Sequence, residues 1–186
     1  MNDSWDKLYS ECASCIACEL SASRTNCVFG SGNKSADLLF VGEAPGENED
    51  KTGTPFVGRA GKLLNEYLAA VGIDRDSVYI TNILKCRPPS NRDPRPCEED
   101  ACIHFLEKQI ELISPKLIVC LGRISAKRLI NKNFKISSEH GAWYDLSGIP
   151  ITAVYHPALL LRDPRKKDEM MTDMRKIKQM LDTLKN

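Results

Sequence analysis

Eight cysteines stand in a chain of 186 residues, and their spacing is the first chemical signal. Cys15 and Cys18 form a C-x2-C pair; Cys86 follows far along the chain, and Cys102 lies beyond it with fifteen residues between them. Thiolates presented from three short turns suit a zinc ion or an iron–sulfur cluster. Structural zinc usually pairs two close knuckles, and the Cys86–Cys102 interval is wider than that, so spacing leaves both metals open. A thioredoxin-like redox pair fits poorly, because no strand precedes Cys15 and the polar stretch from Ser21 to Asn26 follows Cys18. Two registers stay ambiguous: Cys12 makes C-x2-C-x2-C, three candidates for two places, and Cys97 competes with Cys102. Cys27 and Cys120 read as small hydrophobes.

A second set of chemically capable residues follows apolar runs. His156, in Tyr155-His156-Pro157-Ala158-Leu159-Leu160-Leu161-Arg162, is the best candidate for a catalytic or ligand-polarising group. The leucines after it read either as a wedge on a DNA-facing loop or as the first core residues of the last helix. Asn82 offers a donor and an acceptor side by side, which suits a base edge, although turn-forming Asn is commoner. In Gly42-Glu43-Ala44-Pro45-Gly46-Glu47-Asn48-Glu49-Asp50, glycines and a proline shape a turn whose amides can approach a ligand. Its acidic tail argues against a phosphate cradle, and a solvated acidic loop is the plain alternative. Phe56, framed by Pro55, Gly53 and Gly58, is either a stacking platform or the apolar anchor of its loop. From Lys85 to Arg95 run four cations, Lys85, Arg87, Arg92 and Arg95, stiffened by prolines, as a phosphate backbone would favour. Arg162, Arg165, Lys166 and Lys167 form a second basic patch.

These residues need elements to carry them. Asp37–Val41, Val78–Leu84, Leu117–Leu121 and Ile151–Tyr155 read as buried strands. Between them, Leu63, Leu64, Tyr67, Leu68 and Val71 make one helical face, Ile103, Leu106, Ile110 and Ile113 a second, and Ile124–Ile130 a short third. Met170, Met174, Ile177, Leu181 and Leu184 give the last helix a core stripe. Strand–helix alternation predicts a mainly parallel sheet covered on both faces, with ligands beyond the carboxyl ends of the strands.

Composition sets the outer bounds. A content of 42% hydrophobic and 27% charged residues excludes a disordered or fibrous chain. The 26 Lys+Arg against 25 Asp+Glu exclude a generally basic coat, but not a local nucleic-acid site. The expectation is one domain over residues 1–186, without a membrane span or signal peptide, intracellular and cytoplasmic. In such a reducing compartment spaced cysteines point to metal or redox chemistry.

Taken in order, Gly42–Asp50 (GEAPGENED), Gly53–Gly61 (GTPFVGRAG), Thr81–Pro89 with Ser90–Pro94 (TNILKCRPP-SNRDP) and His156–Arg162 (HPALLLR) resemble the family 4 uracil-DNA glycosylases, the iron–sulfur-containing branch of that superfamily. The resemblance runs from about Cys15 to Arg162. It implies an α/β/α sandwich with a four-stranded parallel sheet, and a structural 4Fe–4S cluster on Cys15, Cys18, Cys86 and Cys102. It also implies a DNA-repair enzyme that flips uracil out of DNA and hydrolyses its N-glycosidic bond, leaving an abasic site.

By the same resemblance Phe56 stacks on uracil, Asn82 bonds its N3–H and O4, and backbone amides around Gly42, Glu43 and Ala44 meet the remaining oxygen. His156 stabilises charge on O2. Glu49 crowds C5 against thymine, Leu160 is the wedge, and Arg87 and Arg162 serve the DNA backbone. The best-known uracil glycosylases place a water-orienting Asp where this chain has Ala44; family 4 shares the absence, and Glu43 and Glu49 are the nearby candidates for the water. No basic insertion of the DNA-trapping kind precedes the His motif, which argues for ordinary turnover. A monomer suits such an enzyme, with uracil-containing DNA as its partner. The competing readings are a relative specific for another deaminated base, an iron–sulfur DNA-binding module without catalysis, and a small electron-transfer protein.

Overall fold

A computed structural model describes residues 2–185. Its centre is a six-stranded sheet. Four strands are parallel: β2 (Leu38–Gly42), β3 (Tyr79–Asn82), β4 (Leu117–Leu121) and β6 (Ile149–Val154). At the two edges lie β1 (Ser31–Gly32), antiparallel to β3, and β5 (Trp143–Leu146), antiparallel to β6. The spatial order is β1-β3-β2-β4-β6-β5.

The four expected parallel strands are therefore present, and the expected count of four is corrected to six by the two short antiparallel edges. The signal for these edges is weak in sequence: β1 is two residues long, and no residue of β5 is buried. The β5–β6 hairpin turns on Ser147-Gly148, both with positive φ (52° and 90°). That pair matches the primed two-residue turns whose twist suits a hairpin.

Every residue of β2, β3 and β4 is buried, as a sheet covered on both faces requires. Alternate residues feed two cores. Leu39, Val41, Ile118, Cys120, Ile151 and Ala153 join one core with α1 (Asn2–Ala13) and α4 (Pro96–Ile113). Leu38, Phe40, Leu117, Val119, Leu121 and Val154 join the other with α3 (Arg59–Ala70) and α8 (Lys167–Lys185). Leu63, Leu64, Tyr67 and Leu68 of α3, and Met170, Met174, Ile177 and Leu181 of α8, are buried in that second core, so the helical stripes point as their periodicity predicts. No described helix is long and apolar enough to cross a membrane.

Parallel strands end on the same side. Asn82, Gly42, Leu121 and Val154 close four neighbouring strands at one edge of the sheet, with Gly42 in register with Asn82. The segments leaving that edge are α2 (Glu47–Thr52), the loop bearing Phe56, α5 (Arg123–Leu129) and α7 (Pro157–Arg162).

Candidate active site

A cleft of about 570 Å³ opens at this edge, lined among others by Glu43, Ala44, Glu49, Phe56, Asn82 and His156. Six of the seven residues singled out for catalysis or base recognition thus share one wall system. The seventh, Gly42, backs it. A Cβ on Gly42 would stand 2.3 Å from Asn82 Oδ1 and 2.8 Å from the Phe56 ring, so both side chains depend on its absence.

Asn82 closes β3 and is 1% exposed, yet its Oδ1 has no hydrogen-bond partner. A buried amide oxygen left unpaired costs about 1–3 kcal/mol, which singles out Asn82 as a candidate ligand contact. Its backbone carbonyl is held from behind by Lys85, whose Nζ donates to Asn82 O (2.8 Å), Thr81 Oγ1 (2.6 Å) and Gln109 Oε1 (2.7 Å). Burial pushes this lysine down to about 8.

Phe56 sits in the left-handed region at φ 55°, a conformation costing a non-glycine residue about 1–3 kcal/mol. Two devices hold it there. Glu49 Oε1 accepts from Val57 N (3.0 Å) and Gly58 N (2.9 Å). Gly61 leaves room for the Phe56 carbonyl, which a Cβ would meet at 1.7 Å. One Glu49 oxygen is thereby committed to the loop, a role the sequence does not announce.

His156 precedes α7 and caps it, its Nδ1 accepting from Ala158 N at 3.1 Å. That bond assigns the ring hydrogen to Nε2, leaving a neutral donor for the cleft. Burial, reinforced by Arg162 and opposed by Glu49, lowers the imidazole to about 4. The Phe56 and His156 ring centroids are 5.7 Å apart. Glu43 moves the other way: burial first, then Asp93, with Arg123 opposing, raise its carboxyl to about 7. A group titrating there is poised to take a proton at neutral pH.

The leucine assignment is corrected. His156–Arg162 is not a loop, because Pro157–Arg162 forms α7, and its turns send successive leucines in different directions. Leu160 is fully buried in the core with α3 and α8; Leu159 lines the cleft and Leu161 is 42% exposed. Of the two arginines expected to meet DNA, Arg162 lines the cleft. Arg87 does not, and donates instead to Asn91 Oδ1 (2.7 Å) beside Glu47. Arg92 and Arg123 also reach the cleft. Arg92 forks onto Glu98 (2.5 and 2.9 Å), which fastens the basic loop to the start of α4. Arg123 follows Gly122 at the end of β4, so the strand-end rule that finds the others points to it as well.

In the core shared with α1 and α4, Cys15, Cys18, Cys86 and Cys102 line one small cavity, together with Cys12, Arg24 and Lys85. Arg24 Nη1 donates to Cys86 Sγ (3.1 Å) and Ala17 N to Cys15 Sγ (3.5 Å). Cys97 is exposed and outside this lining, five residues from Cys102 on the same helix and so turned off its face. Of the two, Cys102 alone lines the cavity, and Cys12 lines it as well. Among the described residues, no three His, Cys, Asp or Glu side chains are gathered as a single metal ion requires.

Comparison with known proteins places this geometry. The model of the uracil DNA glycosylase superfamily matches residues 29–181. The type-4 uracil-DNA glycosylase of Archaeoglobus fulgidus is 46% identical over 183 residues, covering 94% of this chain and 92% of that protein. The type-4 enzyme of Sulfurisphaera tokodaii is 45% identical, covering 98% and 87%. That of Thermotoga maritima is 50% identical over 151 residues, covering 80% and 79%. The chain belongs to the uracil DNA glycosylase superfamily, within its type-4 branch.

Proposed function

We propose that this protein, as a single catalytic domain, excises uracil from DNA by hydrolysing its N-glycosidic bond, the opening step of base-excision repair. The observation that carries the reading is the buried, unpartnered Oδ1 of Asn82 at the floor of a cleft between Phe56 and a neutral His156.

A stacked base is out of reach of such a floor, so the nucleotide must be flipped into the cleft. Asn82 Oδ1 then accepts the N3–H of uracil while its amide donates to O4. Cytosine, with an acceptor at N3 and a donor at C4, meets the wrong pattern and is refused. Phe56 supplies the stacking face, and amides around Gly42, Glu43 and Ala44 receive the other oxygen. As the glycosidic bond breaks, electrons flow into the base and charge grows on O2, where His156 Nε2–H donates. A preorganised neutral donor stabilises that charge without moving a proton onto the base. Glu43, half ionised near neutrality, takes the proton from the water that attacks C1′. Glu49 keeps Phe56 in place and crowds the C5 side of the base.

Arg162 and Arg92, which line the cleft, suit contact with the flanking strand, and the exposed Leu161, next to Arg162 on α7, suits filling of the vacated stack. Arg87 supports the loop beside them.

The residues around the second cavity fit a 4Fe–4S cluster. Four thiols surround a common space without converging on one point, and Arg24 and the Ala17 amide supply the donors that ligand sulfurs take. Cys15, Cys18, Cys86 and Cys102 are the ligands in this reading. Held by these four thiols, a cluster would cross-link the exit of α1, the loop after β3 and α4, and would brace the basic loop against DNA.

The test is base release from oligonucleotides bearing a single uracil, thymine or cytosine, scored by alkaline strand cleavage. Release confined to uracil and lost in Asn82→Ala and His156→Ala supports the reading. No release from cluster-loaded protein that still binds DNA refutes it and leaves a binding module.

A further inference from the structure

Cys12, which lines the cysteine cavity, and Cys27 have no ligand or catalytic role in the account above, and their sulfurs touch. Cys12 Sγ and Cys27 Sγ lie 3.3 Å apart. Cys12 sits near the end of α1, and Cys27 lies in the segment ahead of β1. Both segments are anchored close by: Cys15 N donates to Cys12 O at 3.3 Å, and Val28 N to Lys85 O at 2.8 Å. A disulfide holds its sulfurs about 2.05 Å apart, so the pair closes with a sulfur movement of about 1 Å. Access is uneven. Cys12 is 1% exposed, whereas Cys27 is only partly buried and meets solvent first.

We infer that Cys12 and Cys27 form a reversible oxidation site that a peroxide closes into an internal disulfide. The Cys27 thiolate attacks one peroxide oxygen, the O–O bond breaks, and hydroxide leaves. The resulting sulfenic acid is then attacked by the Cys12 sulfur; the S–S bond forms and water departs with the Cys12 proton. Each sulfur loses one electron to the peroxide, which is reduced to two waters. A dithiol reverses the step by exchange.

The bond closes a ring of chain containing Cys15 and Cys18. It therefore staples α1 to the segment beside Lys85 while leaving the four other cavity thiols unmodified. Cys97 is exposed on α4 and Cys120 lies inside β4, so neither is placed to join this pair.

The test uses the full-length protein reconstituted with iron and sulfide. It is treated with an equivalent of hydrogen peroxide, denatured in N-ethylmaleimide and digested without reduction. The expected result is a loss of two free thiols per chain, and recovery of the Cys12 and Cys27 peptides joined and lighter by two hydrogens. Dithiothreitol should restore both thiols. Cys12→Ser and Cys27→Ser should each abolish the joined peptide, and Cys97→Ser should keep it. Joining of Cys27 to Cys15, Cys18 or Cys86, or recovery of Cys27 as an unpaired sulfinic acid, overturns the inference. The readout is covalent connectivity, so it holds or fails independently of uracil release.

Discussion

Gly42 and Asn82 face each other across two adjacent parallel strands, and a single methyl group on Gly42 would come within 2.3 Å of Asn82 Oδ1. The amide proposed to read the base and the glycine opposite it are one unit. Gly42→Ala should therefore displace Asn82 and the Phe56 ring together. We expect kcat/KM for uracil release to fall about 100-fold or more, which corresponds to about 2.7 kcal/mol of transition-state stabilisation. Steady-state kinetics beside a circular dichroism spectrum checks this; a folded variant of normal activity contradicts it.

Glu49 tests whether its carboxylate activates water or holds a loop. Glu49→Gln keeps an acceptor for Val57 N and Gly58 N, and Glu49→Ala does not. A hydrogen bond to a charged group is worth about 1.5–3 kcal/mol, against about 1 for a neutral one. If the carboxylate serves Phe56, Gln should retain activity within about tenfold of the parent and Ala should lose about 100-fold. Equal loss in both variants, measured by single-turnover release, would make Glu49 the base.

The pH profile follows from Glu43. Its carboxyl is raised to about 7, chiefly by burial, and only the ionised form accepts a proton from water. The rate should rise through pH 7 and level off above it. His156, lowered to about 4, stays neutral over that whole range and adds no inflection. Glu43→Gln should flatten the profile at a low rate. A profile that falls as pH rises through 7 contradicts this assignment of base and acid.

Leu160 and Leu161 should separate cleanly. Truncating the buried Leu160 to Ala opens a core cavity and should cost about 2–5 kcal/mol in urea unfolding. Leu161→Ala should leave unfolding unchanged and slow uracil release from duplex DNA more than from single strands, which have no stack to refill. The reverse pattern would return the wedge to Leu160.

Much of this was legible in the sequence, for reasons that differ by residue. The four parallel strands are apolar runs because both faces are covered, and the stripe on α8 follows the helical repeat. Asn82 and His156 stand out because strand ends are where parallel sheets bind ligands. Four things were hidden. The edge strands β1 and β5 carry little apolar signal. The short α7 looks like a loop, so only its three-dimensional turns reveal that Leu160 points inward. Lys85 reads as one cation of a basic loop, whereas its ammonium is buried against Thr81, Gln109 and the Asn82 carbonyl. No local pattern distinguishes that buried lysine from a solvated one. Cys27 reads as a small hydrophobe, and only the fold brings it against Cys12.

The central claim is that Asn82 Oδ1 waits for the N3–H of a flipped uracil. Its most direct test is single-turnover base release from two strands identical except at one nucleotide, uracil in one and 3-methyluracil in the other. The methyl group removes the donor and leaves both carbonyls in place. We predict release of uracil and none of the methylated base, with Asn82→Ala abolishing the difference. Release of both bases at comparable rates from the parent protein would contradict the account.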